Sequence, residues 1–354
     1  MPAQKRTGRV VSVKPVAHHF VRSPWPALAA ALLASACGSA ESSAHREPSN
    51  LQAVLSIERL EEVRSHTEEP FEAGAFDEEE LAGEQDVARG SALAQFLVLP
   101  AAVDPMHTLD WAGLRVNLPE PTRCFDPSRE GELLEGPSDA EPLELLAAGD
   151  VTVRAAGEQT RLALNFFPPS GAAGGVLYTS RDQSAAPLPV NEVYHIDVSG
   201  SDAVPPLSIE GSAPDQLRSV AIAGKPIFAE GDLQDEDGAA AGEGPVDPIA
   251  VQSGSELELT WAEGSASDRV FIHLSSDERT VLCAFHDSDG AGTVPGSLTA
   301  SFVPGSELRI GVHRVREVAT AEELSPSAAE LVDAVMVETT MRFDFEVAAT
   351  LRVD

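Results

Sequence analysis

The residues in this chain best suited to chemistry are few and far apart. It has three cysteines, Cys37, Cys124 and Cys283. Two carboxylate-rich stretches stand beside glycines, Asp232–Gly238 and Asp287-Ser288-Asp289-Gly290. Calcium takes about 6–8 oxygen ligands, so clustered Asp side chains on a loop are the raw material of a calcium site. Neither stretch has the Asp-x-Asp-x-Asp-Gly order with a Glu at the twelfth position. Asp287–Gly290 also has the composition of a tight turn. We read it first as a turn, with calcium at Asp287 and Asp289 as the alternative; no other cofactor is expected. Seven histidines follow Cys37: His45, His66, His107, His195, His273, His286 and His313. None stands two or four residues from another, the spacing that would place two ligands on one metal. His195, His273 and His313 fall in expected strands, where each reads as a partly exposed strand residue.

Catalytic signatures are missing. The chain has no Gly-x-Ser-x-Gly and no His-Glu-x-x-His, and Gly290-x-Gly292 meets Pro295 where the third glycine of a dinucleotide fingerprint would stand. Lys225 follows Gly224 without the rest of a phosphate loop. We expect no enzyme and assign no catalytic residue. Charge excludes another class: the formal net charge is -33. Such a surface repels phosphate backbones, so no nucleic-acid partner is expected.

The N-terminus has its own composition. Residues 1–36 hold five basic side chains (Lys5, Arg6, Arg9, Lys14, Arg22) and no acidic one. An apolar run of about 11 residues, Pro26 to Ala36, then stops at Cys37. A spanning helix needs ~20 apolar residues, whereas a secretory signal needs ~7–15 after a basic stretch. We therefore expect a signal peptide over 1–36 and no integral membrane segment after it. The run Leu33-Ala34-Ser35-Ala36-Cys37 resembles a bacterial lipobox, with Ala34 where Leu is usual and Leu33 one step further out. That resemblance implies diacylglycerol on the Cys37 thiol, three acyl chains in all and a membrane partner reached through the lipid. With Gly38 in place of Asp, it also implies an outer-membrane protein facing the periplasm or the cell surface. Ordinary cleavage that leaves Cys37 as a thiol is the rival reading. If Cys37 is lipidated, Cys124 and Cys283 remain. In an oxidising compartment they form a candidate disulfide, the alternative being two separately buried thiols.

The remaining elements have to position these residues. Residues 37–90 carry acidic clusters such as Glu61-Glu62, Glu68-Glu69 and Asp77–Glu80. They read as a flexible acidic tether with at most a short helix on Leu51, Val54, Leu55 and Glu58. From about Ser91 short apolar runs alternate with Gly, Pro, Asp and Ser, the texture of an all-β region. A β-sandwich domain is expected over 91–211, with strands at Ala92–Leu99, Gly113–Leu118, Asp150–Arg154, Arg161–Phe166 and Tyr194–Ser199. A second is expected over 212–354, with an acidic loop over 230–247. Its inward residues alternate at Leu257, Leu259 and Trp261; at Val270, Ile272 and Leu274; at Val281, Cys283 and Phe285; at Leu308, Ile310 and Val312; and along Met341–Val353. Thr320–Val335 reads as a helix or helical loop.

The series Pro214-x-x-Leu217-x-x-Val220, Leu257-x-Leu259-x-Trp261 and Val270-x-Ile272-x-Leu274 resembles the opening of a fibronectin type III or related immunoglobulin-like sandwich. It implies an immunoglobulin-like sandwich for 212–354 with Trp261 in the core, so that with the β region 91–211 the expected fold is mainly β, two immunoglobulin-like sandwiches. Lipobox and Cys283-Ala-Phe-His-Asp-Ser-Asp-Gly290 together resemble uncharacterised lipoproteins of GC-rich, myxobacterial type, which implies location and little else. The expected function is a lipid-anchored binding or scaffold module with a protein or glycan partner. The alternatives are a carbohydrate-binding module, for which Trp111, Trp261, Tyr178 and Tyr194 are the aromatic candidates, and a hydrolase without a familiar motif.

Overall fold

Alternation of apolar and polar residues builds most of this protein, and the computed structural model shows a mainly β fold. It describes residues 49–62, 89–100, 104–114, 118–127, 143–170, 172–180, 188–227, 248–324 and 335–354. The strands are β1 (Ser49–Glu62), β2 (Arg89–Pro100), β3 (Cys124–Phe125), β4 (Leu143–Leu145), β5 (Val151–Ala155), β6 (Glu158–Arg161), β7 (Ala163–Ser170), β8 (Ala173–Thr179), β9 (Val193–Val198) and β10 (Leu207–Ser212). There follow β11 (Ala221–Ile222), β12 (Lys225–Pro226), β13 (Ile249–Val251), β14 (Leu257–Thr260), β15 (Arg269–Ser275), β16 (Thr280–His286), β17 (Ala291–Val294), β18 (Glu307–Leu324) and β19 (Val335–Val353). Helices α1 (Pro105–Trp111) and α2 (Gly296–Thr299) are short.

One 11-stranded sheet runs β3-β16-β15-β18-β19-β1-β2-β4-β8-β7, with β13 beside β19. Two four-stranded sheets, β10-β9-β5-β6 and β12-β11-β14-β17, are the others among the described residues. The first core combines Leu51, Leu55, Phe96, Tyr178 and Phe343 of the long sheet with Val153, Tyr194 and Ile196 of one small sheet. The second combines Ile272, Val281, Ile310 and Leu351 with Ile222, Leu259, Trp261 and Val294. Along β19 the inward residues pass from the first core (Met341, Phe343, Phe345) to the second (Val347, Ala349, Leu351, Val353). The two cores thus share the long sheet, the first taking Ala213, Met341, Phe343 and Phe345 from beyond position 212, and Arg46–Asp354 form one compact unit.

Three expected elements differ. The tether over 37–90 is not continuous: Ser49–Glu62 is a strand that pairs parallel with β19 and antiparallel with β2. Leu51, Val54 and Leu55 fit a helical period. However, Leu51, Ala53, Leu55 and Ile57 also alternate, and Val54 packs on the opposite face with Leu97, Leu99 and Leu109. A segment apolar on both faces carries no clear period of its own, so its neighbours decide. Residues 37–48 and 63–88, with the Glu68 and Asp77 clusters, lie outside the described residues, as does the acidic loop over 230–247. Of the strand expected at Gly113–Leu118, the described residues Gly113, Leu114 and Leu118 are not in a strand, and 115–117 lie outside the described set. Instead Asp104 caps α1, its side chain accepting a hydrogen bond from the Met106 N–H at 3.0 Å, with Pro105 in the first turn. Gly113, at φ 69°, follows the helix. Lastly, β18 continues through Leu324, so Thr320–Leu324 is strand and not helix. Residues 325–334 lie outside the described set.

Candidate functional site

Charged groups gather on both faces of the shared strands β18 and β19. Arg314 and Arg316 follow Ile310 and Val312 on the core side of β18. Arg314 is 2% exposed. Its Nη2 donates to Asp287 Oδ1 at 2.8 Å and to the Ala262 carbonyl at 2.6 Å. Its Nη1 donates to the carbonyls of Gln216 at 3.0 Å and Asp215 at 3.3 Å. Arg316 grips Asp268 with two bonds of 2.7 Å, and its Nη1 reaches the carbonyls of Ser212 and Ala213. The two arginines therefore hold the segment 212–216, which leads from β10 towards β11. Buried carbonyls at such a crossing need donors, and these guanidinium groups supply them.

Asp287 is fully buried, and its own carbonyl accepts the Trp261 indole N–H at 3.0 Å. Burial pushes the Asp287 carboxyl above its ordinary range, opposed by the bond and charge of Arg314. Gly264 lies against this carboxylate, where any Cβ would collide with Asp287 Oδ2. Asp289 is exposed, so the turn sends its two carboxylates to different environments. Among the described residues no group of three His, Cys, Asp or Glu could hold a metal ion. The calcium alternative at Asp287 thus meets a carboxylate already committed to Arg314. Asp232–Gly238 lies outside the described residues.

The opposite face carries His313. Its Nδ1 lies 2.8 Å from Asp344 Oδ1, and its Nε2 lies 3.9 Å from Glu346 Oε1. Arg342 reaches Asp344 at 2.9 Å, Arg309 reaches Glu346 at 2.8 Å, and Phe271 packs edge-on against the imidazole. Burial alone would lower the His313 pKa. Asp344, by charge and hydrogen bond, and then Glu346 outweigh it, and the net direction is up. Burial likewise pushes Asp344 up, but His313 and Arg342 pull it below the ordinary carboxylate range. His273 goes the other way, depressed by burial and then by His313 and Arg309. His195, by contrast, is the expected half-exposed strand residue, 3.5 Å from Glu210.

These shifts set a pH dependence. The raised pKa of His313 gives stability that is complete below about 6.5 and is lost as pH rises through the folded value. The depressed pKa of His273 acts oppositely: stability falls as pH drops below about 6.5 towards its folded value. Asp344 adds a loss at lower pH, as it is protonated below its ordinary range. Urea midpoints measured across pH should therefore peak near neutrality. The alkaline decline should reach at most about 1.4 kcal/mol per pH unit, the value for one proton. His313→Gln should flatten that decline and leave the acidic side standing; an unchanged alkaline slope would remove His313 from the account.

No protein-family model matches the chain, and no curated protein matches it either.

Cys124 and Cys283 form a disulfide, with S–S 2.06 Å, between residues directly paired across β3 and β16. Of the two readings left open by the sequence, this is the one the fold holds. Cys37 lies outside the described residues. Tyr178, Tyr194 and Trp261 are core residues, with the Tyr178 hydroxyl on the Ala148 N–H and the Tyr194 hydroxyl on the Pro189 carbonyl. They cannot form a glycan-stacking platform; the Trp111 side chain lies outside the description. Sequence reading missed the exposed apolar residues of edge strand β7: Leu164, Phe166 and Phe167 are 57%, 71% and 40% exposed. The signal was Pro168-Pro169, which confines a strand to a sheet edge.

Proposed function

We propose that this chain is an exported, outer-membrane lipoprotein, anchored through Cys37, whose β region is a non-enzymatic binding or scaffold module. The Cys124–Cys283 disulfide carries the export part, because such bonds persist in oxidising compartments. Support for a non-catalytic role comes from the buried charges. Arg314, Asp287, Arg316, Asp268, His313 and Asp344 are engaged with one another or with backbone. The partner favoured by this reading is an extended protein segment at β7, where exposed apolar side chains stand beside a strand edge that no other described strand pairs. A glycan at the same edge is the second reading, supported by Phe166 and Phe167.

Among the described residues no helix is long and apolar enough to cross a membrane. On this reading the lipid is the anchor, for which one acyl chain is marginal and two or more are stable. Cys37→Ser should leave an unprocessed precursor or release the protein from the membrane fraction. The N-terminal peptide of the wild type should carry the acyl mass. An unmodified thiol at Cys37 in wild type would overturn the anchor.

A further inference from the structure

We propose that the extended segment taken at β7 is β7 of a second copy, so that two long sheets join edge to edge into one. This rests on the reading of β7 as the binding edge. The first observation is where the first core stops. Leu164 pairs with Tyr178 of β8, and Phe166 pairs with Val176. Directly opposed residues share a face of the sheet. Tyr178 belongs to the first core and Val176 packs against it, so Leu164 and Phe166 stand on the core side. Yet they are 57% and 71% exposed. The apolar face of the sheet therefore runs past the core to the edge, where it is left open among the described residues.

The second observation is the sequence of that edge. Edge strands are ordinarily protected from self-pairing by charged side chains, lysine above all. Residues 162–180, which hold both strands of this hairpin, have no charged side chain, in a chain of which 23% is charged. Nothing in the hairpin itself holds two like-charged copies apart, and depletion of charge is the mark of an interface core. What β7 does carry is Pro168-Pro169, which have no N–H to give to a ladder. On the other side the chain leaves the long sheet, the Leu162 N–H donating to Val151 and Arg161 ending β6. The stretch able to pair is thus 163–167.

These bounds choose one register. A two-fold axis through Asn165 sets Leu164 opposite the second copy's Phe166, and Phe167 opposite the second copy's Ala163. Leu then meets Phe on the core side, and Phe meets Ala on the other, so each exposed apolar side chain gains an apolar partner. An axis at Phe166 would bring Pro168 into the ladder, and one at Leu164 would set Phe167 against Arg161. An odd shift would turn the core side of one copy to the outer side of the other. The pairing uses the same edge twice, so it closes at two copies and builds no filament. That self-complementarity selects a second copy over a foreign strand.

The seam is small beside the roughly 20–30 residues a side of a standard interface, so association should be weak and the test should reach about 100 µM protein. Sedimentation of the full chain should show a dimer that grows with concentration. Phe166→Glu, at an exposed position, should weaken it about tenfold or more and leave the melting curve unchanged. Asn165→Cys reads the register: opposed Cα atoms of an antiparallel pair lie about 4.5–5.5 Å apart, within the roughly 4.4–6.8 Å of a disulfide. Mild oxidation should give a species of twice the chain mass that the wild type, with its own cysteines, does not give. Monomer throughout, or a dimer that survives Phe166→Glu or forms without the cross-link, overturns the proposal. Maleimide labelling of the same thiol then decides whether β7 is a binding edge at all. A thiol open in the purified protein but shielded in the producing cells means that a different molecule takes β7, and that reading stands. A thiol open in both means an edge without a partner, and one shielded in both means that this chain covers its own edge; each overturns the reading as well.

Discussion

Arg314→Met should lower the folding free energy by about 3–5 kcal/mol, the usual cost of removing one partner from a buried ion pair. Methionine keeps much of the side chain's bulk and removes every donor. It would leave Asp287 buried without its cation, and the carbonyls of Asp215, Gln216 and Ala262 without their guanidinium. The direction of the Asp287 shift says the same: burial already disfavours that carboxylate, and Arg314 is its main compensation. Urea denaturation with fluorescence of Trp261 should show the lower midpoint. Because Arg314 holds the segment leading between the cores, both should lose stability together. Asp287→Asn in the Arg314→Met background should recover part of the loss by removing the stranded charge. A single-variant loss below about 1 kcal/mol, the range of a surface pair, would place the pair in water and refute the burial argument.

Removing the disulfide by Cys124→Ser with Cys283→Ser should cost a similar amount by a different route. The residues are 159 apart in sequence. In the chain-entropy model, closing a loop of that length restricts the unfolded chain by about 5 kcal/mol. Cys283 is also fully buried in the second core, so the hydroxyl adds a polar group there. The signature differs from that of Arg314→Met. Opening the loop lets the unfolded state expand, so the dependence of stability on urea should steepen, while the arginine variant should leave it unchanged. A steepened slope without loss of stability would mean that the bond constrains the native state at a matching cost.

The alternation in Leu257–Trp261, Val270–Leu274, Val281–Phe285 and Met341–Val353 was enough to place those strands and their buried faces, because each pattern is complete within its own segment. Asp104-Pro105 is an equally local sign of α1, the side chain capping the helix and the proline opening its first turn. The alternation of short apolar runs with Gly, Pro, Asp and Ser clusters likewise argued for a mainly β fold. Other features were not legible because their partners lie far along the chain. β1 becomes a strand through β19, nearly 300 residues later, since Gln52 bonds Glu338 across 286 positions. Arg314 looks like any strand arginine until folding brings Asp287 and the 215–216 carbonyls to it. His313 reads as half-exposed until Asp344 and Glu346 arrive on the neighbouring strand. Side-chain period is written in the local sequence because it depends only on backbone geometry. Charge pairing, the disulfide and the sharing of one sheet by two cores depend on strand order, and only the tertiary structure sets that.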